Sequence, residues 1–251
     1  MTGLLTVVGL GPGGTAHRTE AAVTAVRQAE VVLGYAPYLD GCADLLGPEQ
    51  TVVRGRMTEE GLRAAQAVEF AATGRRVALV SSGDAGVYGM ATLALSAVAE
   101  LDPGTRPRVE VLPGVTAALA ASAVAGAPLA HDFACLTLSS LLTPWAEVER
   151  RLRAVAAADL ALALYNPRSN GREWQLDRAR EVVLEHRPGA TPVALVTDAT
   201  RAEQRVALTT LDDMDCSSVG MTTTVLIGSS TTRRIGDWLV TPRSALPGST
   251  T

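Results

Sequence analysis

Apolar residues recur along this chain as short continuous runs set between longer stretches with helical spacing. Residues 4–10 (LLTVVGL) form an almost unbroken apolar run, the pattern of a strand covered on both faces. Residues 20–29 repeat at helical spacing, and 30–33 (EVVL) give a second strand, so the opening reads as a βαβ unit. A short strand follows at 51–53. Thr58 is then placed to cap a helix with Glu59 and Glu60 in its first turn and Gly74 at its end. Arg76–Ser81 is another strand, running into the loop SSGDAGVYGM. A helix over about 90–100 and a strand over 109–112 complete a half in which strands and helices alternate.

Beyond PGVTA (113–117) the rhythm changes. An alanine-rich helix over about 115–125 is followed by a strand at 134–138. Next come an amphipathic helix over Trp145–Ala157, a strand at 160–164 and a helix over 174–186. Strands at 192–196, 206–210 and Thr223–Ile227 then follow with few helices between them, which predicts a mixed, partly antiparallel sheet. The fold class is therefore α/β. Two α/β domains are expected, an N-terminal one over 1–112 and a C-terminal one with a mixed sheet over 113–251. No internal repeat or low-complexity tract is found, and the tail SALPGST is expected to be mobile.

Composition narrows the function classes. Of 251 residues 47% are hydrophobic, and the aromatics number only Trp 3, Tyr 4 and Phe 2, so the core is built from aliphatic layers. No apolar run approaches the roughly 18 residues of a membrane span, and no leader pattern opens the chain, so a cytoplasmic protein away from membranes is expected. Net charge is −4 with both signs intermixed, which argues against nucleic acid. Cys42, Cys135 and Cys216 are isolated from one another, as are His17, His131 and His186, so neither a disulfide framework nor a metal site is expected.

One stretch invites a specific ligand. Gly9, Gly11 and Gly14 satisfy the G-x-G-x-x-G spacing of a dinucleotide-binding turn. Two requirements fail, however. Pro12 removes an amide donor from the turn, and Gly34 and Tyr35 stand at the end of the second strand where an acid should hold a ribose hydroxyl. The residues argue against NAD.

The same glycines fit another pattern. G-x-G-P-G after the first strand, a Gly-Asp loop after a middle strand and P-G-V-T-A at the domain junction resemble the tetrapyrrole (corrin/porphyrin) methyltransferases, from residue 5 to about 243. Longer stretches are similar to the branch that methylates C-17 of precorrin-3-type macrocycles in cobalamin biosynthesis. They are LGYAPYLD (33–40), ALVSSGDAGVYGMA (78–91), GAPLAHDF (126–133), LTPW (142–145), ALYNPRS (163–169) and VTPR (240–243). The resemblance implies an S-adenosylmethionine (SAM)-dependent enzyme that binds SAM in a cleft between its two domains. It also implies release of S-adenosylhomocysteine, a contracted precorrin-4-type product and a homodimer. Two positions depart from the pattern: Ser140 stands where the branch carries an acid, and Ala199 where it carries glycine.

By this resemblance Pro12, Ser82, Gly83, Asp84, Val87, Thr116, Ala117, Tyr165, Asn166 and Ala199 bind the cofactor, and Met221–Thr224 lies near it. Read without the resemblance, Asp84 would cap the next helix, and Thr116 and Ala117 would be its successor's first turn. Methyl transfer requires chiefly alignment and exclusion of water, so no nucleophile pair is needed. Arg54, Arg56, Arg168 and Arg172 lie on loops and suit the carboxylates of a tetrapyrrole. His131, beside Asp132, is the candidate acid or base for ring contraction, against a purely structural reading. The rival readings are a sister enzyme acting at another ring position, a methylase of protein or RNA, and a non-catalytic regulator that binds SAM or tetrapyrrole.

Overall fold

The computed structural model describes residues 3–243; the tail expected to be mobile lies outside the described residues. The chain divides into two compact units, Met1–Ala117 and Ala118–Thr251.

The first unit is built on β1 (Leu4–Gly9), α1 (Glu20–Gln28), β2 (Val31–Tyr35), α2 (Ala36–Asp40), β3 (Thr51–Gly55), α3 (Glu60–Ala72), β4 (Arg76–Ser81), α4 (Ala91–Ala99) and β5 (Arg108–Leu112). Its five strands form one parallel sheet in the order β3-β2-β4-β1-β5. Alternate residues of each strand enter opposite cores, which is why the strands read as continuous apolar runs. Leu5 and Val7 of β1 pack with Val77 and Leu79 against α3 and α4. Val8, with Val32, Ala78 and Val80, packs against Ala22 and Val26 of α1.

Thr58 does not cap α3 as expected. It sits at φ +70°, and its hydroxyl donates to the Met57 carbonyl. The Glu59 carboxylate instead accepts from the Arg56 amide at 2.7 Å and folds the entry to the helix. The short helix α2 was not expected; Pro37 in its first turn starts it.

The second unit holds α5 (Ala117–Ala125), whose first residue closes the first unit, then β6 (Gly126–Ala127), β7 (Phe133–Thr137), α6 (Trp145–Ala157), β8 (Ala161–Tyr165) and α7 (Gln175–Leu184). It ends with β9 (Pro192–Thr197), β10 (Arg205–Thr210), β11 (Thr223–Ile227), β12 (Arg233–Ile235) and β13 (Trp238–Val240). Its main sheet runs β10-β9-β11-β8-β7, with β7 and β8 parallel and the other pairs antiparallel. The mixed sheet expected from the sequence is present. In β8, Leu162 and Leu164 face α6 and α7, whereas Ala161 and Ala163 face the alanines of α5. Small residues on both sides let α5 lie close to the sheet. A small sheet, β12-β13-β6, had no counterpart in the sequence reading because its strands have only two or three residues.

Candidate functional site

In the first unit, β1 and β4 are neighbours, but the helices that follow them leave to opposite faces, α1 to one core and α4 to the other. This is the switch point of the sheet, where the two departing chains leave a crevice at the carboxyl ends of the strands. The turns at this point carry three of the sequence motifs. Gly11 and Gly83 exchange backbone hydrogen bonds, Gly11 N to Gly83 O at 3.0 Å and Gly83 N to Gly11 O at 2.7 Å. Their φ values of +79° and +65° suit glycine. A Cβ placed on Gly9 would stand 2.7 Å from Gly114 N and 2.8 Å from Gly83 O, and one on Gly114 only 2.2 Å from Gly83 O. Backbone meets backbone here, and only glycine permits it.

Asp84 fastens this junction. Its Oδ1 accepts from the amides of Gly86 (2.7 Å) and Val87 (3.2 Å), and its Oδ2 from the amide of Gly114 at 2.9 Å. Capping α4 is therefore not its role; the amide of Met90, at that helix's start, donates to Ser81 Oγ instead. Pro12 is buried beside the Gly11 turn, and Ser82 and Val87 are half-buried. The Cβ position of Gly83 lies 3.7 Å from Thr116 Cα and 3.8 Å from Ala117 N. Pro12, Ser82, Gly83, Asp84, Val87, Thr116 and Ala117 are thus brought together. The helix α1 begins only at Glu20, capped by Thr19, so the glycine turn does not feed it as a dinucleotide fold requires. A depression of about 470 Å³ lies elsewhere and reaches the opposite ends of β1 and β4 at Leu4, Arg76 and Val77.

In the second unit, register places Tyr165, Asn166, Ala199 and the start of β11 at one rim. Thr137 pairs with Tyr165, and Thr197 with Thr223. Tyr165 Oη accepts from the amide of Ala118 at 2.9 Å. Asn166 Nδ2 donates to Thr137 Oγ1 at 3.1 Å, the hydroxyls of Thr197 and Thr223 meet at 2.8 Å, and Thr222 Oγ1 donates to Asp198 Oδ2 at 3.1 Å. Asn166, Asp198 and Thr200 all have positive φ, at +50°, +49° and +68°. Strain of this kind collects at ligand sites, and for a β-branched residue such as Thr200 it is unusual. Thr137, Asp198 and Thr200 escaped the sequence reading. Asparagine and aspartate tolerate this conformation, so only the Asp198 position carried even a weak signal.

His131 is not brought to this rim. It precedes β7, whereas Asn166 follows β8, and β7 and β8 run parallel. The five-residue strand β7 alone separates the ends by about 13 Å, at about 3.3 Å per residue. His131 is exposed, and its Nδ1 accepts from the amide of Asp132 at 2.8 Å. Ser140 is also exposed.

The four candidate arginines differ. Arg54 pairs with Asp40 at 2.6 Å and Arg168 with Asp177 at 3.5 Å, while Arg56 is exposed. Arg172 is buried; its Nε donates to the carbonyl of Asn166 at 2.8 Å. No disulfide joins the cysteines, and burial raises the pKa of each, that of Cys216 to about 12, so none is a thiolate near neutrality. Among the described residues no three His, Cys, Asp or Glu side chains gather as a metal site, and no helix is long and apolar enough to cross a membrane.

The model of the family described as Tetrapyrrole (Corrin/Porphyrin) Methylases matches residues 4–215. The chain belongs to this family. Within it, the chain is 42% identical over 240 residues to the probable cobalt-factor III C(17)-methyltransferase of Salmonella typhimurium, covering 96% of this chain and 98% of that one. It is also 42% identical over 250 residues to a precorrin-3B C(17)-methyltransferase of Sinorhizobium sp, with 97% of each covered. The crystal structure of the methyltransferase CobJ superposes with a TM-score of 0.90 at 39% identity, over 96% of this chain and all of that one. The α/β architecture expected from the sequence is thus that of the methylase family.

Proposed function

We propose that this chain transfers a methyl group from SAM to C-17 of a precorrin-3-type tetrapyrrole, with contraction of the macrocycle to a precorrin-4-type product, in cobalamin biosynthesis. The observation that carries this reading is the convergence of Gly9, Gly83 and Gly114 at the sheet's switch point, fastened by Asp84, in a chain similar over nearly its whole length to C(17)-methyltransferases.

The residues fit an S-adenosyl ligand. Turns stripped of side chains let backbone N–H and C=O groups approach a ligand closely. When bound, SAM supplies a methyl group already activated on a sulfonium. The chain's own task is then orientation and exclusion of water, for which rigid glycine turns suit better than mobile side chains. Asp84 holds the amides of Gly86, Val87 and Gly114 in place and so acts as a positioning residue.

Calorimetry tests the ligand class. S-adenosylhomocysteine is expected to bind with micromolar-range affinity, roughly −8 kcal/mol, and NAD to give no heat. Binding of NAD in its place would overturn the reading.

A further inference from the structure

Three arginines are buried: Arg63, Arg172 and Arg187. Arg63 and Arg187 each have an acid at 4.0 Å, Glu60 and Asp159. Arg187 also donates to the carbonyls of Gly228 and Leu160, which sews it into the fold. Arg172 has no carboxylate within 4 Å among the described residues, although only 7% of it is exposed. Its Nε is satisfied by Asn166 O. Its two terminal nitrogens meet only Ser139 Oγ at 3.5 Å and Met221 Sδ at 3.4 Å. The first contact is at the limit of a hydrogen bond, and a thioether is a weak acceptor.

A buried guanidinium without an anion is costly unless something repays the desolvation. Its surroundings locate that something. The Ser169–Arg172 bridge, with reciprocal backbone bonds of 3.1 and 2.9 Å, pins the turn that carries it. The bond to Asn166 O fixes the head at the rim that the proposed function gives to the ligand. Ser139 and Met221 mark the two positions where a planar, two-oxygen acceptor would sit. Burial lowers the pKa of Arg172, in keeping with a cation that lacks a counter-charge.

We infer that Arg172 is an anion anchor of the second unit: its terminal nitrogens take a ligand carboxylate in bidentate fashion, displacing Ser139 Oγ and Met221 Sδ. The inference rests on the methyltransferase reading. The carboxylate belongs either to the methionine end of the SAM-type ligand or to a side chain of the tetrapyrrole; the chemistry is the same.

The test uses the full chain and three probes in calorimetry. They are S-adenosylhomocysteine, 5′-methylthioadenosine (which lacks the amino-acid end) and uroporphyrin III as a polycarboxylate macrocycle. Arg172→Gln is expected to weaken one carboxylate ligand at least about tenfold and to leave methylthioadenosine binding within about twofold. Loss confined to S-adenosylhomocysteine identifies the methionine end; loss confined to uroporphyrin identifies the macrocycle.

Because Arg172 also holds Asn166 O, Met221→Glu serves as the second variant. A carboxylate built in at that position should pair with the guanidinium, raise the melting temperature and weaken the same ligand. A merely structural arginine would not link a more stable fold to weaker binding. Unchanged affinities for all three probes in both variants, or equal losses for methylthioadenosine and S-adenosylhomocysteine, would overturn the anchor alone. A wild-type chain that binds none of the probes would overturn the functional reading and the anchor with it.

Discussion

Asp84 illustrates how one side chain can matter for a ligand without being the group that touches it. Removing its carboxylate leaves three amides of the crevice without an acceptor, a cost of about 2–3 kcal/mol when such groups are partly covered. Asp84→Ala is therefore expected to fold, melt earlier and bind S-adenosylhomocysteine about tenfold or more weakly. Calorimetry together with thermal melting reads both effects, and unchanged affinity would show that the turns hold without it. The motif around His131 suggested proton transfer, and the residue lies at the far end of β7 from Asn166. His131→Ala is expected to keep both S-adenosylhomocysteine affinity and turnover within about twofold. A slowing of the contracted product by tenfold or more, the low end of general acid–base contributions, with affinity intact, would restore the acid–base reading.

At the scale of elements, α6 and α7 are joined by charge as well as by their apolar faces. Glu149 of α6 accepts from Arg178 of α7 at 2.6 Å, from Arg153 at 2.7 Å and from the Trp145 indole at 3.0 Å. These bonds, that from Arg178 foremost, lower its pKa from 4.5 to about 2. A carboxylate held below its unfolded value stabilises the fold above that value and loses the contribution as pH falls through the folded one. The interval is thus from about 4.5 down to about 2. Both partners are partly solvated, so about 1 kcal/mol at neutral pH is the expected scale. Glu149→Gln should melt earlier than the wild type at pH 7, and the gap should close as pH drops through this interval. A gap independent of pH would mean that the ion pairs contribute nothing.

These elements were also the most legible part of the sequence. Buried strands such as β1 and β8 read directly because apolar residues must fill both faces, and α6 reads from its amphipathic repeat. The sequence was silent where structure depends on contacts between distant segments. Nothing in the local pattern shows that Gly9, Gly83 and Gly114 touch, or that Arg172 lacks an acid. Thr58 misled because a good capping residue one position too early is turned to φ +70° while Glu59 shapes the helix entry. The strands β6, β12 and β13 are too short to leave a period.

At the scale of the whole molecule, the parallel sheet of the first unit ends in glycine turns, and the mixed sheet of the second ends in a polar, strained rim. Similarity at 42% over almost the full chain joins these two halves to C(17)-methyltransferases. The claim that unites these observations is that one chain methylates C-17 and contracts the ring. It is tested most directly in a single-turnover reaction of the purified protein with methyl-labelled SAM and a precorrin-3-type substrate, prepared with and without cobalt, followed by mass and NMR analysis of the product. One label per macrocycle is expected, located at C-17 of a contracted ring, with one equivalent of S-adenosylhomocysteine. Label at another ring carbon, or binding of SAM with no transfer to either substrate, would contradict it.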